Sequence, residues 1–424
     1  MDASRSGPWC APSFIIPKKD GRVRFITDYR ELNKCIQRKP WPMAHINDLI
    51  QDVGKCKHVT ALDLSMGYYH LKLDKELSTM STFMLPFGLY KYKRMAMGLS
   101  ISPDIFQEKM TKLFGDIPWI KVYLDDLLIF SNGSYKDHLK KVDQALARLK
   151  SKNLAVNALK TYWAVREVDY LGFRLTPEGV LPQAKKVEAI VGMQIPKNKR
   201  DLRRFIGLVN YYRFMWKHRS HVLAPLAHLT GKTVPFKWQA EHTRAFEEMK
   251  QIVSREVLLS FPDYNERFQL YTDASDLQMG AVLKQGDKTL AFFSKKLNNA
   301  QKQYGVGEKE MLSIVEALKE FRTMIYGYPI DVYTDHKNWT HDKTLRNVRV
   351  MRWRLLIQEY APTIHYVKGE KNVVADALSR LKIEHSEDQF TLVSEVFDLH
   401  SWRKFQQHVM IRQIRIAQRK DRYV

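Results

Sequence analysis

Cysteine is scarce. Cys10, Cys35 and Cys56 are the only three, an odd number lying in no Cys-x-x-Cys or Cys/His cluster. That argues against a disulfide framework or a zinc knuckle and predicts reduced, packed thiols in an intracellular protein. Long apolar runs are missing as well: no stretch approaches the roughly 18 residues that a membrane span requires. The start, MDASRSGPWC, has no apolar segment of signal-peptide length. Neither secretion nor membrane insertion is suggested. No repeat of fixed period and no low-complexity linker divides the chain, so boundaries must come from changes of pattern. Acidic residues fall short too, with 46 Asp plus Glu against 69 Lys plus Arg, a balance of +23 spread along the sequence. Such an excess suits a polyanionic partner but does not specify one.

What is present is enough apolar material for more than one core. With 424 residues and 45% hydrophobic content, two or more domains are expected rather than disorder. Residues 1–180 mix short apolar strands with helices. From residue 181 to 255 the pattern turns helical, and DLRRFIGLVNYYRFM sets Leu202, Phe205, Ile206 and Val209 on one stripe. From Phe268 strands return as FQLYTDAS, GAVLKQ and TLAFFSKKL, followed by a helix whose Met311, Ile314, Val315 and Leu318 form an apolar face. A second, mixed α/β domain over 262–383 is predicted. Residues 384–424 form a tail that begins acidic and ends basic and amphipathic, of no legible role.

Carboxylates recur at strand ends. In WIKVYLDDLLIFS two apolar runs flank Asp125-Asp126, a spacing that predicts a tight hairpin with both acids at its tip. Taken alone, such a pair is more often an ordinary surface turn. Upstream, HVTALDLSMGYYHLKLD reads as a strand ending near Asp63, a turn at Ser65-Met66-Gly67 and a second strand. Three carboxylates brought together without cations would repel, so the cluster predicts divalent cations, and hard oxygen ligands suit Mg²⁺ or Mn²⁺. Two such ions can activate a hydroxyl and stabilise a departing pyrophosphate.

Taken in order, VRFITDYRELNK, ALDLSMGYY, MGLSISPDIFQ, VYLDDLLIF and YLGFRLTPEGV resemble the motif series of reverse transcriptases, in particular those of gypsy-type long-terminal-repeat retrotransposons. The resemblance implies an α+β multidomain protein, a right-hand polymerase of fingers, palm and thumb. It implies Asp63, Asp125 and Asp126 as metal ligands, with Leu64 adding its backbone carbonyl. Lys18 and Arg24 match finger residues that meet the incoming triphosphate, and Tyr68 matches the aromatic gate that crowds a ribose 2′-hydroxyl. Met97 stands at the nucleotide-pocket wall, where related enzymes carry phenylalanine or glutamine. Leu171, Gly172 and Phe173 match the hairpin that positions the primer end, and Gly207 and Tyr211 a thumb helix that follows the minor groove. A glycine at 207 serves close approach to nucleic acid or close helix packing equally well. By the same resemblance, part of the fingers is expected upstream of SGPWCAPSFIIPKKDG.

The second domain offers Asp273 in LYTDAS, Glu310 in GEKEMLSIVEAL, Asp335 in VYTDH and Asp376 in VVADALSR, any one of which would pass for a surface acid. Their order, with DHK, KGE and NVVADALSR, resembles the ribonuclease H domain that follows the polymerase in gypsy-type elements. That implies two Mg²⁺ ions per active site. Glu308 is a nearby competitor, but Glu310 fits the motif register better; His365 and Tyr366 lie near a position where retroviral relatives carry a histidine, and strand completion is their commoner role. The expected activity is RNA- and DNA-directed DNA synthesis plus cleavage of RNA–DNA hybrid, with RNA template, DNA primer and deoxynucleoside triphosphates as partners. The expected setting is a cytoplasmic particle with nuclear access. A catalytically inactive relic, or a host-adopted nucleic-acid-binding protein, is the competing reading. Protease and integrase signatures do not occur.

Overall fold

The structure, a computed structural model, describes residues 10–17, 21, 23–255, 257–335 and 348–367, and the backbone of residues 2–3. Lys18, Asp376 and the tail 384–424 lie outside them. Among the described residues no helix is long and apolar enough to cross a membrane.

The first sheet explains the placing of the first acids. Its strands run in the order Ile120–Tyr123, Asp126–Ser131, His58–Asp63, Tyr162–Val165. Alternate residues of a strand face opposite ways, so this sheet feeds two cores. Leu62, Leu127 and Ile129 pack with Phe106, Met110 and Leu149 of the helices Ser102–Phe114 and Tyr135–Ser151. Val59, Ala61 and Leu128 face the other way, into a cluster that continues through Leu202, Phe205 and Phe246 into Phe268 and Leu270 of the last sheet. Leu127, Leu128 and Ile129 have no exposed surface, and each such burial stabilises by roughly 1.5–3 kcal/mol. The helix Tyr135–Ser151 starts at a capping box in which Ser134 and Asp137 each satisfy the other's backbone amide.

Two local expectations are corrected. The hairpin tip is Leu124-Asp125, one residue earlier than the acid pair, because Asp126 already belongs to its strand and pairs with Tyr123. No second strand follows the turn after Asp63 either. Met66 is left-handed at φ 53° and the chain coils as a 3-10 turn over Gly67–His70, with the Tyr69 amide donating to the Met66 carbonyl at 2.9 Å. Cysteine also differs: Cys56 is buried, its thiol pushed up to about 11 by that burial, whereas Cys10 and Cys35 are exposed.

Next comes a small sheet, Val168–Tyr170, Phe173–Leu175 and Val180–Pro182. Helices follow, including Lys199–Tyr211, whose predicted stripe holds: Leu202, Phe205 and Val209 are fully buried and Ile206 partly so. Phe205 meets Phe246 of the helix Ala240–Ser254 with ring centroids 4.5 Å apart. The last sheet runs Lys288–Lys296, Gln278–Gln285, Phe268–Ala274, Ile330–Thr334, Thr363–Tyr366. The first pairings are antiparallel, whereas Ile330–Thr334 joins Phe268–Ala274 in parallel and Thr363–Tyr366 joins it in turn. The crossover between the parallel strands includes the helix Val306–Glu320, with Ile314, Val315 and Leu318 fully buried.

Candidate active sites

At the hairpin, strand register brings Asp63 opposite Asp126, and the Asp125 carbonyl accepts from the Leu64 amide at 2.9 Å. Asp125 is pushed up to about 6, first by burial and then by the charges of Asp126 and Asp63. Asp126 is raised for the same reasons, burial foremost, then Asp63. The Asp125 Oδ1 atom is buried with no hydrogen-bond partner among the described residues. Gly67 explains how the carboxylate fits: a Cβ on it would stand 2.2 Å from that oxygen and 2.8 Å from Phe106 Cζ. Sequence reasoning missed Lys160, whose Nζ lies 3.4 Å from Asp63 Oδ2. Nothing in the linear sequence couples residues so far apart; the Asn157 amide, donating to the Asp63 carbonyl at 2.8 Å, and the pairing of Tyr162–Val165 with His58–Asp63 do.

Around these acids the other expected residues fall into place unevenly. Tyr68 packs against Phe106 with centroids 5.2 Å apart, its hydroxyl pushed up to about 12 mainly by burial. Arg24 is exposed on the strand Val23–Thr27, and Met97 is 42% exposed. Leu171 and Gly172 form the two-residue turn between Val168–Tyr170 and Phe173–Leu175, both with positive φ, 45° and 81°. Tyr211 and Tyr212 hold that turn, their hydroxyls donating to the carbonyls of Leu171 at 2.7 Å and Gly172 at 2.6 Å. Gly207 lies one turn earlier on the same helix as Tyr211, and a Cβ there would meet nothing within 4 Å. Close helix packing is therefore not its reason.

In the last sheet Asp273 sits near the end of Phe268–Ala274, Asp335 just after Ile330–Thr334, and Glu310 on the crossover helix is only 4% exposed. Glu310 is pushed up to about 9, first by burial and then by the charges of Asp335 and Asp273. Its Oε2 is buried with no hydrogen-bond partner among the described residues. Glu308 turns elsewhere: it accepts from the Gly305 amide at 3.1 Å and pairs with Arg349 at 2.6 Å. His365 completes its strand, stacked on Tyr333 with centroids 4.8 Å apart and 3.1 Å from Asp331. Among the described residues no group of three or more Asp, Glu, His or Cys encloses a point that could hold a metal ion as the side chains stand.

Comparison with known proteins follows this division. "Reverse transcriptase (RNA-dependent DNA polymerase)" matches residues 16–175, and "RNase H-like domain found in reverse transcriptase" matches residues 263–360. The chain carries a reverse transcriptase domain followed by an RNase H-like domain. It is 34% identical over 395 residues to the retrovirus-related Pol polyprotein from transposon 297 of Drosophila melanogaster, covering 90% of the chain and 37% of that protein. It is also 34% identical over 384 residues to the transposon Tf2-7 polyprotein of Schizosaccharomyces pombe, covering 87% of the chain and 29% of the relative. The chain thus spans about a third of these polyproteins, and the retrotransposon resemblance read from its motifs holds.

Two solved structures share the fold. One is the foamy viral protease-reverse transcriptase dRH in complex with double-stranded DNA, with a TM-score of 0.78 and 24% identity over 86% of this chain and 66% of that one. The other is the foamy viral protease-reverse transcriptase in complex with RNA/DNA hybrid, with a TM-score of 0.75 and 23% identity over 91% and 53%. The expected architecture, a polymerase followed by a ribonuclease H-like domain, is the one found. Domains of both kinds generally depend on divalent metal.

Proposed function

We propose that this reverse transcriptase copies RNA, and DNA, into DNA from deoxynucleoside triphosphates and cuts the RNA strand of RNA–DNA hybrids, in retrotransposon replication. The observation that carries this reading is shared by the two acid clusters: each holds a buried carboxylate oxygen with no hydrogen-bond partner among the described residues, Asp125 Oδ1 in one and Glu310 Oε2 in the other. An unpaired buried carboxylate is costly, and a hard divalent cation such as Mg²⁺ or Mn²⁺ is the chemistry that relieves it.

Asp63, Asp125 and Asp126 with the Leu64 carbonyl would hold two such ions, and Asp273, Glu310 and Asp335 with Asp376 two more. Bound there, they supply Lewis acidity at attacking and leaving oxygens. The chain's own side chains do the rest. Lys18 and Arg24 meet the triphosphate, Lys160 offsets acid charge beside Asp63, and Tyr68 and Met97 wall the nucleotide. Leu171, Gly172 and Tyr211 support the primer end, and Gly207 leaves room for a nucleic-acid backbone. The charge of +23 supports a polyanionic substrate, with affinity for hybrid falling linearly as log K against log salt.

The test is primer extension on an RNA template, and cleavage of RNA–DNA hybrid, by the purified chain with and without Mg²⁺. Absence of both activities in a folded, hybrid-binding protein would falsify the reading.

A further inference from the structure

We propose that Gln107 is a positioning residue for DNA synthesis, its carboxamide clamping the hairpin that carries Asp125. The inference rests on the polymerase reading above. Gln107 lies on the helix Ser102–Phe114 and is only 6% exposed. Its Oε1 accepts from the Leu124 amide at 2.7 Å, and its Nε2 donates to the Val122 carbonyl at 3.2 Å. The Thr111 hydroxyl, one helical turn on, lies 3.4 Å from the same Nε2. One side chain thus satisfies a donor and an acceptor on the arm of the turn immediately before Asp125.

That grip matters because of the backbone it holds. Leu124 has φ 53°, a left-handed conformation that a residue with a side chain enters only at a cost. Such a residue persists where its surroundings over-determine it. The neighbouring restraints act after Leu124: the Leu64 amide donates to the Asp125 carbonyl at 2.9 Å and the Tyr170 hydroxyl to the Asp126 carbonyl at 3.3 Å. With Gln107 gone, Leu124 loses the partner that makes its unfavourable conformation worth keeping, and relaxation of the turn re-aims the Asp125 carboxylate. Gly67 leaves that carboxylate little room for error, since a Cβ there would stand 2.2 Å from Oδ1. Phe106, next to Gln107 on the helix, packs against Tyr68 at 5.2 Å. The same helical turn therefore sets both the acid and the aromatic wall beside it.

Gln107→Met keeps the length of the side chain and removes both hydrogen bonds. The test compares it with the parent chain by hydrogen–deuterium exchange, primer extension and hybrid cleavage. Exchange over residues 120–126 is expected to rise about ten-fold or more, with no change over residues 268–285. The kcat for extension is expected to fall about 10- to 100-fold, the scale of a misplaced catalytic group, with KM for the nucleotide and hybrid cleavage unchanged. Unchanged exchange at Leu124 overturns the proposal, and so does raised exchange with unchanged kcat. A loss shared equally by extension and hybrid cleavage marks a general packing role and overturns it too. A parent chain that extends no primer refutes the polymerase reading instead, and exchange at Leu124 then still decides the clamp.

Discussion

Asp125 and Glu310 face the same problem in different surroundings. Both are raised first by burial and then by neighbouring acids, yet Asp125 reaches about 6 and Glu310 about 9. The hairpin acids have cations in reach, His70 and Lys160 both lowering Asp125, and they stand half-buried on a short turn. Glu310 projects from a helix packed on the sheet, where burial and the charges of Asp335 and Asp273 all raise it. Near neutral pH and without metal, Asp125 is largely ionised while Glu310 carries a proton. On the proposed reading the hairpin acids would then be prepared electrostatically for a metal, and the Glu310 cluster would have to exchange a proton for it.

The largest effects separate the two sites. Asp125→Asn should abolish primer extension and spare hybrid cleavage, and Asp335→Asn should do the reverse. Each loss is expected to be at least ~100-fold, about 3 kcal/mol in barrier. Rates are compared after both variants are shown to melt like the parent and to bind hybrid equally. Extension surviving Asp125→Asn, or cleavage surviving Asp335→Asn, would break the comparison at its root.

Proton exchange supplies the next test. A carboxyl held at about 9 must deprotonate to bind a cation, so Mg²⁺ affinity for the ribonuclease H site should rise about ten-fold per pH unit from pH 6 towards 9. The polymerase site should show that slope only below about 6. Mg²⁺ titrations of each activity across pH measure both, and parallel pH dependences would erase the distinction.

Gly67→Ala probes the tightness of the hairpin. The new Cβ would drive Asp125 or Phe106 aside, lowering extension about ten-fold or more with cleavage untouched. Extension at the parental rate would show that the carboxylate has room to move.

The smallest effect concerns acid. His138 is fully buried under the polymerase sheet, bonded to Thr60 and Ser131 at 2.8 Å each, and pushed down to about 4, first by burial. A histidine whose folded value lies below its unfolded one gives stability that is present above about 6.5 and is lost as pH falls towards 4. From pH 7 to 5 the loss amounts to roughly 2 kcal/mol. Limited proteolysis at pH 5 should therefore open the polymerase sheet before the last sheet, and His138→Asn should flatten that pH dependence. Simultaneous cleavage of both regions would place the acid sensitivity elsewhere.

Legibility from sequence followed distance along the chain. The strand FQLYTDAS, the stripe Leu202, Phe205, Val209 and the helix face Ile314, Val315, Leu318 were all readable, because periodicity is a local property of neighbouring residues. The hairpin was readable too, although its tip was placed one residue late: left-handed Leu124 carries no turn signature of the kind that glycine or asparagine provides. The strand expected after Gly67 failed because tertiary crowding by Asp125 and Phe106 dictates the backbone there.

By itself, then, the sequence determined the order of elements, the excess of positive charge and the acids standing at strand ends, since each depends on residue type and short spacing. The motif register already favoured Glu310 over Glu308, and only the tertiary structure decided that Gly207 opens outward, that Lys160 reaches Asp63, and that Gln107 holds Leu124. Those are contacts between distant segments. Sheet register and helix docking, set by burial across the whole domain, bring them within reach.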